Sequence, residues 1–324
     1  MALVSEFDLI ERYFKRPAPA GLLGAGDDCA LFTPPAGMQV AASKDMLLEG
    51  RHFFSNVDPQ SLGHKSLAVN LSDLAAMGAQ PLGCLLGLAL PVERASDPDW
   101  LAGFMRGFLA QADAHACPLL GGDTTRSDVG LAISVTVFGA VPTGQALRRD
   151  TARDGDDIWV SGFCLGAAQA ALAILQGRCA DDGRLAALRP ALERPEPQLA
   201  LGLALRGIAH ACIDISDGLL QDLGHILAAS ACGAVLHEAD LPVAPALTGW
   251  PAEQVRASAL GGGDVYHLCF TAPVGARQRV QQAGEQTGVA VTRIGTVTAE
   301  PGLTVLDAQG RALPVLPCGF DHFG

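Results

Sequence analysis

The sequence predicts a two-domain protein of the α/β (α+β) class, and three observations carry that prediction. The chain is 324 residues long, enough for two ordinary hydrophobic cores. Strand-period and helix-period apolar patterns alternate through both halves. Between the halves, Pro142 to Gly155 is polar, charged and broken by Gly144 and Gly155. The boundary is placed there, giving domains 1–145 and 146–324.

Taken in order, Glu6 to Phe14 reads as a short amphipathic helix with Phe7, Ile10 and Phe14 on one face, ended by Pro17 and Pro19. Gly24-Ala25-Gly26-Asp27-Asp28-Cys29-Ala30 is a glycine-hinged loop, and it lacks the strand, third glycine and helix of a dinucleotide fingerprint. Met38 to Ser43 reads as a strand delivering Lys44-Asp45 at its end. A helix opens near Ser61 and stops at Gly78, with Pro81 beyond it. Gly83 to Leu90 is apolar enough for a central strand. Ser96 or Asp97 caps a helix from Pro98 to Ala114. Leu119 to Arg126 is a strand and glycine turn, and Leu131, Ile133, Val135 and Val137 alternate as a half-buried strand does.

In the second half, Asp157–Gly162 is a strand and Leu165–Gln176 a helix. A Pro- and Arg-rich loop, Arg189–Pro197, precedes a helix over Gln198–Ala209. Ala211 to Gly218 is a strand delivering Asp214, Ser216 and Asp217 to the helix Leu219–Ala231. Ser216 or Asp217 is a candidate N-cap, whereas Asp214 sits inside the apolar strand. Leu260 to Leu268 is a glycine-rich turn into the strand His267–Ala272. A surface helix over Gly275–Gly288 and strands over Val289–Val297 and Gly302–Leu306 follow. The tail, Cys318 to Gly324, is aromatic enough to dock on something.

The net charge of −12, with no basic run, argues against a nucleic-acid partner. The nine cysteines are scattered without a C-x-x-C pair, as in a protein of reduced, buried thiols. Met1 to Asp8 lacks a signal peptide's basic start, and the apolar run Leu82–Leu90 is too short to span a bilayer. A cytoplasmic protein without membrane association is expected.

The stretch Ser66 to Ala79 stands apart. Leu67, Leu71 and Leu74 form an apolar stripe thickened by small residues, so this helix is expected to be buried nearly all round. Ser66, Asn70 and Asp73 share one face at i, i+4 and i+7. A carboxylate there is costly unless paired or bound to metal, so Asp73 is either a satisfied core residue or a metal ligand. Asp27, Asp28, Asp45, Asp123, Asp214 and Asp217 share its context of strand ends and glycine turns. Two carboxylates about 4 Å apart repel by roughly 4 kcal/mol at an effective dielectric of 20, so gathering several requires divalent cations. All-oxygen ligands suit Mg²⁺ completed by substrate phosphates. No P-loop or protein-kinase motif occurs. A nucleotide would then be held through Mg²⁺, glycine-turn amides, Ser216 and arginines such as Arg126 and Arg149, and transferred by positioning and charge neutralisation. His52, alone beside aromatic residues, reads as structural on its own.

Six segments in chain order resemble thiamine-monophosphate kinases: Gly24 to Ala30, Asp45 to Phe53, Asn70 to Ala79, Gly121 to Arg126, Asp214 to Leu219, and Gly319 to Phe323. The resemblance implies the two-domain fold of aminoimidazole ribonucleotide synthetase and selenophosphate synthetase, with an N-terminal sheet-and-helix domain that dimerises. Its C-terminal α/β domain would complete the nucleotide and substrate site. It implies ATP-dependent phosphorylation of thiamine monophosphate to thiamine diphosphate by direct in-line transfer with several Mg²⁺ ions. By matching positions, Asp28, Ser43, Lys44, Asp45, Asp73, Asp123, Asp214 and Asp217 would be metal ligands. Gly122, Asp123, Arg149 and Ser216 would contact ATP, and His52, Asp264 and Phe320 the thiamine substrate; no protein nucleophile is implied.

Three departures stand out. Gly262-Gly263-Asp264-Val265-Tyr266-His267-Leu268 occupies the place of the family's Gly-Gly-Glu-Asp-Tyr-Glu-Leu, Lys44 replaces a Thr, and Gly166-Ala167 replaces a Gly-Asp. They leave two alternatives open: a same-fold enzyme acting on another small substrate, or a weakened member that binds nucleotide or thiamine phosphate without turnover.

Overall fold

In the computed structural model, residues 6–25, 28–314, 317 and 319 are described. The chain divides into two compact units, residues 1–74 with 79–144, and residues 75–78 with 145–324.

The first unit begins with a helical turn, α1 (Glu6–Leu9), continued by one wider turn over Ile10–Phe14. It then carries β1 (Met38–Leu48), α2 (Pro59–Ala76), β2 (Gln80–Leu90), α3 (Val92–Ala95), α4 (Pro98–Ala114), β3 (Leu119–Arg126) and β4 (Ala132–Pro142). The strands form one sheet in the order β1-β4-β2-β3. Only β2 and β3 run parallel. On one face, Leu86, Leu88, Ile133, Val135 and Val137 are buried. Leu67, Leu71 and Leu74 of α2 are at most 1% exposed, so the helix is enclosed as its composition predicts. α4 lies against α2 backbone to backbone, because Gly63 and Gly107 face the carbonyls of Phe104 and Gln60 where no Cβ would fit. Asp97 caps α4, accepting from Asp99 N at 3.1 Å and Trp100 N at 3.0 Å.

β1 is five residues longer than its polarity suggests, so Lys44 and Asp45 lie within the strand. Among the described residues it is an edge strand paired only with β4. One side carries Ser43, Asp45 and Leu47, and the other leaves Val40, Lys44, Met46 and Leu48 exposed. A charged pair is tolerated there because alternate side chains reach water.

The second unit carries β5 (Asp157–Ser161), α5 (Ala167–Leu175), α6 (Leu185–Glu193), α7 (Leu199–Ala204), β6 (Ala211–Asp214), α8 (Leu219–Ser230), β7 (Gly233–His237), α9 (Ala252–Gly261), β8 (Leu268–Ala272), α10 (Arg277–Thr287), β9 (Val291–Thr298) and β10 (Gly302–Leu306). Its sheet order is β10-β7-β9-β5-β8-β6, antiparallel except for β10 with β7. Leu219, Leu223 and Ile226 of α8 pack with Ile158, Val160, Ile213 and Leu236. Trp159 stacks on Phe270, with centroids 6.4 Å apart. Asp157, 1% exposed, is held by a bidentate pair with Arg277 at 2.6 and 2.7 Å.

Three sequence expectations change here. The loop expected over Arg189–Pro197 contains most of α6, with Pro190 inside the helix. Leu188 and Leu192 are buried against α5, and that packing outweighs the one hydrogen bond Pro190 cannot donate. α7 is shorter than the expected Gln198–Ala209. The turn expected from Leu260 begins only at Gly262, because α9 runs to Gly261. The cysteines among the described residues are free, and most are buried. No helix among the described residues is long and apolar enough to cross a membrane.

Candidate active site

In the first unit, β1 and α2 meet through two polar contacts. Ser43 Oγ donates to Asp73 Oδ2 at 2.5 Å, and Asp45 N donates to Asn70 Oδ1 at 3.0 Å. Asn70, 1% exposed, returns its Nδ2 hydrogen to Ser66 O at 3.1 Å. Ser66 Oγ donates to Leu62 O at 2.7 Å, within its own helix. Asn70 thus ties the helix to the strand, and Ser66 satisfies backbone. Ser43, Asp45 and Asp73 form an oxygen-rich group.

His52 Nδ1 accepts from Leu48 N at 2.9 Å, which leaves the ring hydrogen on Nε2. The contact closes the turn after β1, so the ring has a structural partner whatever else it binds. Asp28 and Lys44 are exposed.

Asp123 lies apart from this group. Pairing sets Asp45 in the row of Val135, Leu86 and Gly122, whereas Asp123 shares a row with Gly87, Ser134 and Met46. Adjacent rows point to opposite faces, and β1 and β3 are three strand spacings apart, about 14 Å. Gly122 is required by packing, since a Cβ there would strike the Leu86 carbonyl. Arg126 is paired with Asp128 at the surface.

In the second unit, Asp214 is the last residue of β6 and is 5% exposed. Neither Ser216 nor Asp217 caps α8, whose N-cap is Gly218. Asp222, on the first turn of α8, instead accepts at Oδ2 from Ser216 N and Asp217 N at 3.0 Å and from Gly218 N at 3.1 Å. Burial pushes the Asp222 carboxyl up to about 6, against the pull of those three donors. The amides of this turn are therefore occupied internally, not free to cradle a phosphate.

The same turn is laced to the segment carrying Asp264. Asp264 N donates to Ser216 O at 2.8 Å, Tyr266 N to Ile215 O at 2.8 Å, and Ile215 N to His267 O at 2.8 Å. The approach is close enough that a Cβ on Gly263 would strike Ser216 O, and one on Gly218 would meet Gly261 O. Asp264 and Tyr266 hold φ of 59° and 53°, a left-handed conformation costly for non-glycine residues. Tyr266 Oη donates to Asp264 Oδ1 at 3.2 Å and helps aim that carboxylate.

The departures at positions 265 and 267 are packing residues. Val265 is 5% exposed within the α8 core. His267 donates from Nδ1 to Ser161 O at 2.7 Å and lies against Gly162. Burial lowers its pKa, so the ring is neutral at pH 7.

Arg149 is exposed, and its field at Cys212, two residues before Asp214, opposes the burial that raises that thiol. Gly319 lies against Gln221 and the Asp217 carbonyl. Asp27 and Phe320 lie outside the described residues.

Among the described residues no three His, Cys, Asp or Glu side chains close into a metal cage. The donor set nevertheless fits Mg²⁺: hard oxygens in small groups, the arrangement of an ion that keeps waters and takes phosphate ligands.

Sequence reasoning missed Asp222 and the aiming of Asp264 by Tyr266. Asp222 had a signal: it stands three residues after Leu219 and four before Ile226, an acid on the apolar stripe of an amphipathic helix.

Two units, each a sheet with helices against it and a group of carboxylates, define a class. Residues 26–141 match the AIR synthase related protein N-terminal domain, and residues 153–308 match its C-terminal domain. Thiamine-monophosphate kinase from Escherichia coli K12 is 43% identical over 324 residues, 98% of each chain. The crystal structure of thiamine-monophosphate kinase from Stenotrophomonas maltophilia K279a superposes with a TM-score of 0.84 at 43% identity, covering 96% of this chain and 98% of that one. The structure described as AaThiL complexed with AMPPCP and TMP gives 0.76 at 28% identity, over 90% and 89%. The chain belongs to the AIR synthase related proteins and, within them, to the thiamine-monophosphate kinase family of enzymes.

Proposed function

We propose that this protein transfers the γ-phosphoryl group of ATP directly to thiamine monophosphate, yielding thiamine diphosphate, in the cytoplasm. The observation that carries the reading is the laced pair of turns in the second unit. One brings Asp214, Ser216 and Asp217, the other an aimed Asp264, in a family with a member solved with AMPPCP and TMP.

Each group has a distinct task. Ser43, Asp45 and Asp73, with Asp28, are assigned to Mg²⁺ in the first unit, and Asp214 and Asp217 in the second. Bound Mg²⁺ would neutralise phosphate charge and fix the reacting groups in line. Asp123 and, through its backbone carbonyl, Lys44 are assigned to metal, and Gly122, Asp123, Arg149 and Ser216 to ATP, on motif position. Arg149 adds the positive charge that a phosphate chain needs. Asp264, His52 through Nε2, and Phe320 would receive the thiamine moiety. No side chain acts as a nucleophile: the acceptor phosphate attacks, and the protein positions it.

The alternative of a weakened, non-turning-over member rested on positions 264–267. Val265 and His267 are used in packing, which weighs against that alternative.

We also infer a homodimer, because the outward row of edge strand β1 exposes Val40, Met46 and Leu48 by 48, 55 and 41%.

A coupled assay of ADP release with thiamine monophosphate, thiamine and no acceptor tests the reading. ADP release that needs Mg²⁺ and thiamine monophosphate, with thiamine diphosphate as product, supports it. Release only with another acceptor transfers the reading to a sister reaction.

A further inference from the structure

Asp222 belongs to none of the groups assigned above to metal, nucleotide or substrate. It is 2% exposed, and one carboxylate oxygen receives three consecutive amides, Ser216 N, Asp217 N and Gly218 N. A buried carboxylate is costly unless it is hydrogen-bonded, and here the bonds go to the one turn that carries Ser216 and Asp217. Its own amide donates to Gly218 O at 2.9 Å, closing the first turn of α8 on the same residue.

The peptide planes of this turn are consequently fixed from two sides. Their amides point to Asp222, while the carbonyls of Ile215 and Ser216 accept from Tyr266 and Asp264. Two consequences follow for any ligand. The turn has no N–H of residues 216–218 left for a phosphate, unlike a glycine-rich phosphate loop. What it offers is oxygen, from the Ser216 hydroxyl and the carboxylates of Asp214 and Asp217, which selects a cation.

We propose that Asp222 is a positioning residue for Mg²⁺–nucleotide binding: it fixes Ser216 and Asp217 by drawing in the turn's amides, and so makes the turn a cation site. The proposal rests on the kinase reading for the identity of the nucleotide. A residue that merely stabilised the fold would change the melting temperature and leave metal dependence alone.

The test compares full-length wild type with Asp222→Asn, which keeps an acceptor oxygen in place and removes the charge. Binding of a non-hydrolysable ATP analogue is titrated by calorimetry at fixed analogue and varied Mg²⁺, beside thermal melts without ligand. The expected result is a 10- to 100-fold rise in the Mg²⁺ needed for half-saturation, the range seen when a residue supporting metal ligands is removed. Wild-type Mg²⁺ dependence in Asp222→Asn overturns the proposal, even if its melting temperature falls. Should Asp222→Asn fail to fold, Asp222→Glu, which shifts the oxygen by one methylene, is judged by the same criterion. The readout does not need turnover. A wild type that binds Mg²⁺–analogue but does not phosphorylate thiamine monophosphate sinks the kinase reading and leaves the role of Asp222 to be decided by the titration.

Discussion

Ser43 of β1 donates its hydroxyl hydrogen to the Asp73 carboxylate of α2 at 2.5 Å, joining a sheet edge to an enclosed helix. The bond accounts for one lone pair of the Asp73 carboxylate. Asp73→Asn keeps an oxygen for Ser43 and loses only the charge. It is expected to stay folded and to lose about 100-fold or more in kcat/KM, as when a preorganised electrostatic group is removed. Steady-state assays beside a thermal melt check this, and near-normal turnover would remove Asp73 from the site.

Asn70 makes a separable contribution, because its partner is backbone. Asn70→Ala leaves the Asp45 amide without its acceptor at a buried helix–strand contact. The expected cost is about 1–3 kcal/mol of stability, read as a lower urea midpoint with the slope unchanged. An unaltered midpoint would show that Asp45 N finds another acceptor.

What was legible in the sequence was local. The apolar periodicity around Leu67, Leu71 and Leu74 announced an enclosed helix, and Ser96-Asp97 before Pro98 announced a capped one. Asp214 within an apolar strand was equally plain, although the strand ends at that residue. The rest depended on partners far along the chain. That Asp45 and Asp123 fall on rows facing opposite sides follows from a four-strand pairing order no short window contains. Pro190 hides α6 because the burial of Leu188 and Leu192 that sustains it is tertiary. Glycine-turn amides looked available for phosphate until Asp222, five residues after Asp217, was found to occupy three of them.

The outward row of β1 gives a prediction about assembly. Met46, 55% exposed, stands between Lys44 and Leu48 on the side of the strand away from Leu47. Met46→Asp adds a charge that a subunit interface would have to desolvate, while a monomer keeps it in water. Sedimentation velocity is expected to show a dimer for wild type and a shift toward monomer for the variant. A wild type that sediments as a monomer at micromolar concentration would refute the assembly.

His267 sets a pH dependence of stability whose direction is determined by burial. The ring donates to Ser161 O and packs against Gly162, and desolvation lowers its pKa below the ordinary histidine value. The unfolded chain therefore binds the proton more readily than the folded one, so stability from this group is present above about pH 6.5, the unfolded value. It is lost as the pH falls through the lower, folded value. Cys164, whose sulfur lies 3.5 Å from both ring nitrogens, does not interfere, since burial pushes its thiol up to about 12. His267→Gln, which can still donate to Ser161 O, is expected to flatten the fall in urea midpoint between pH 7 and 5 relative to wild type. Parallel curves for the two proteins would assign the acid sensitivity to other groups.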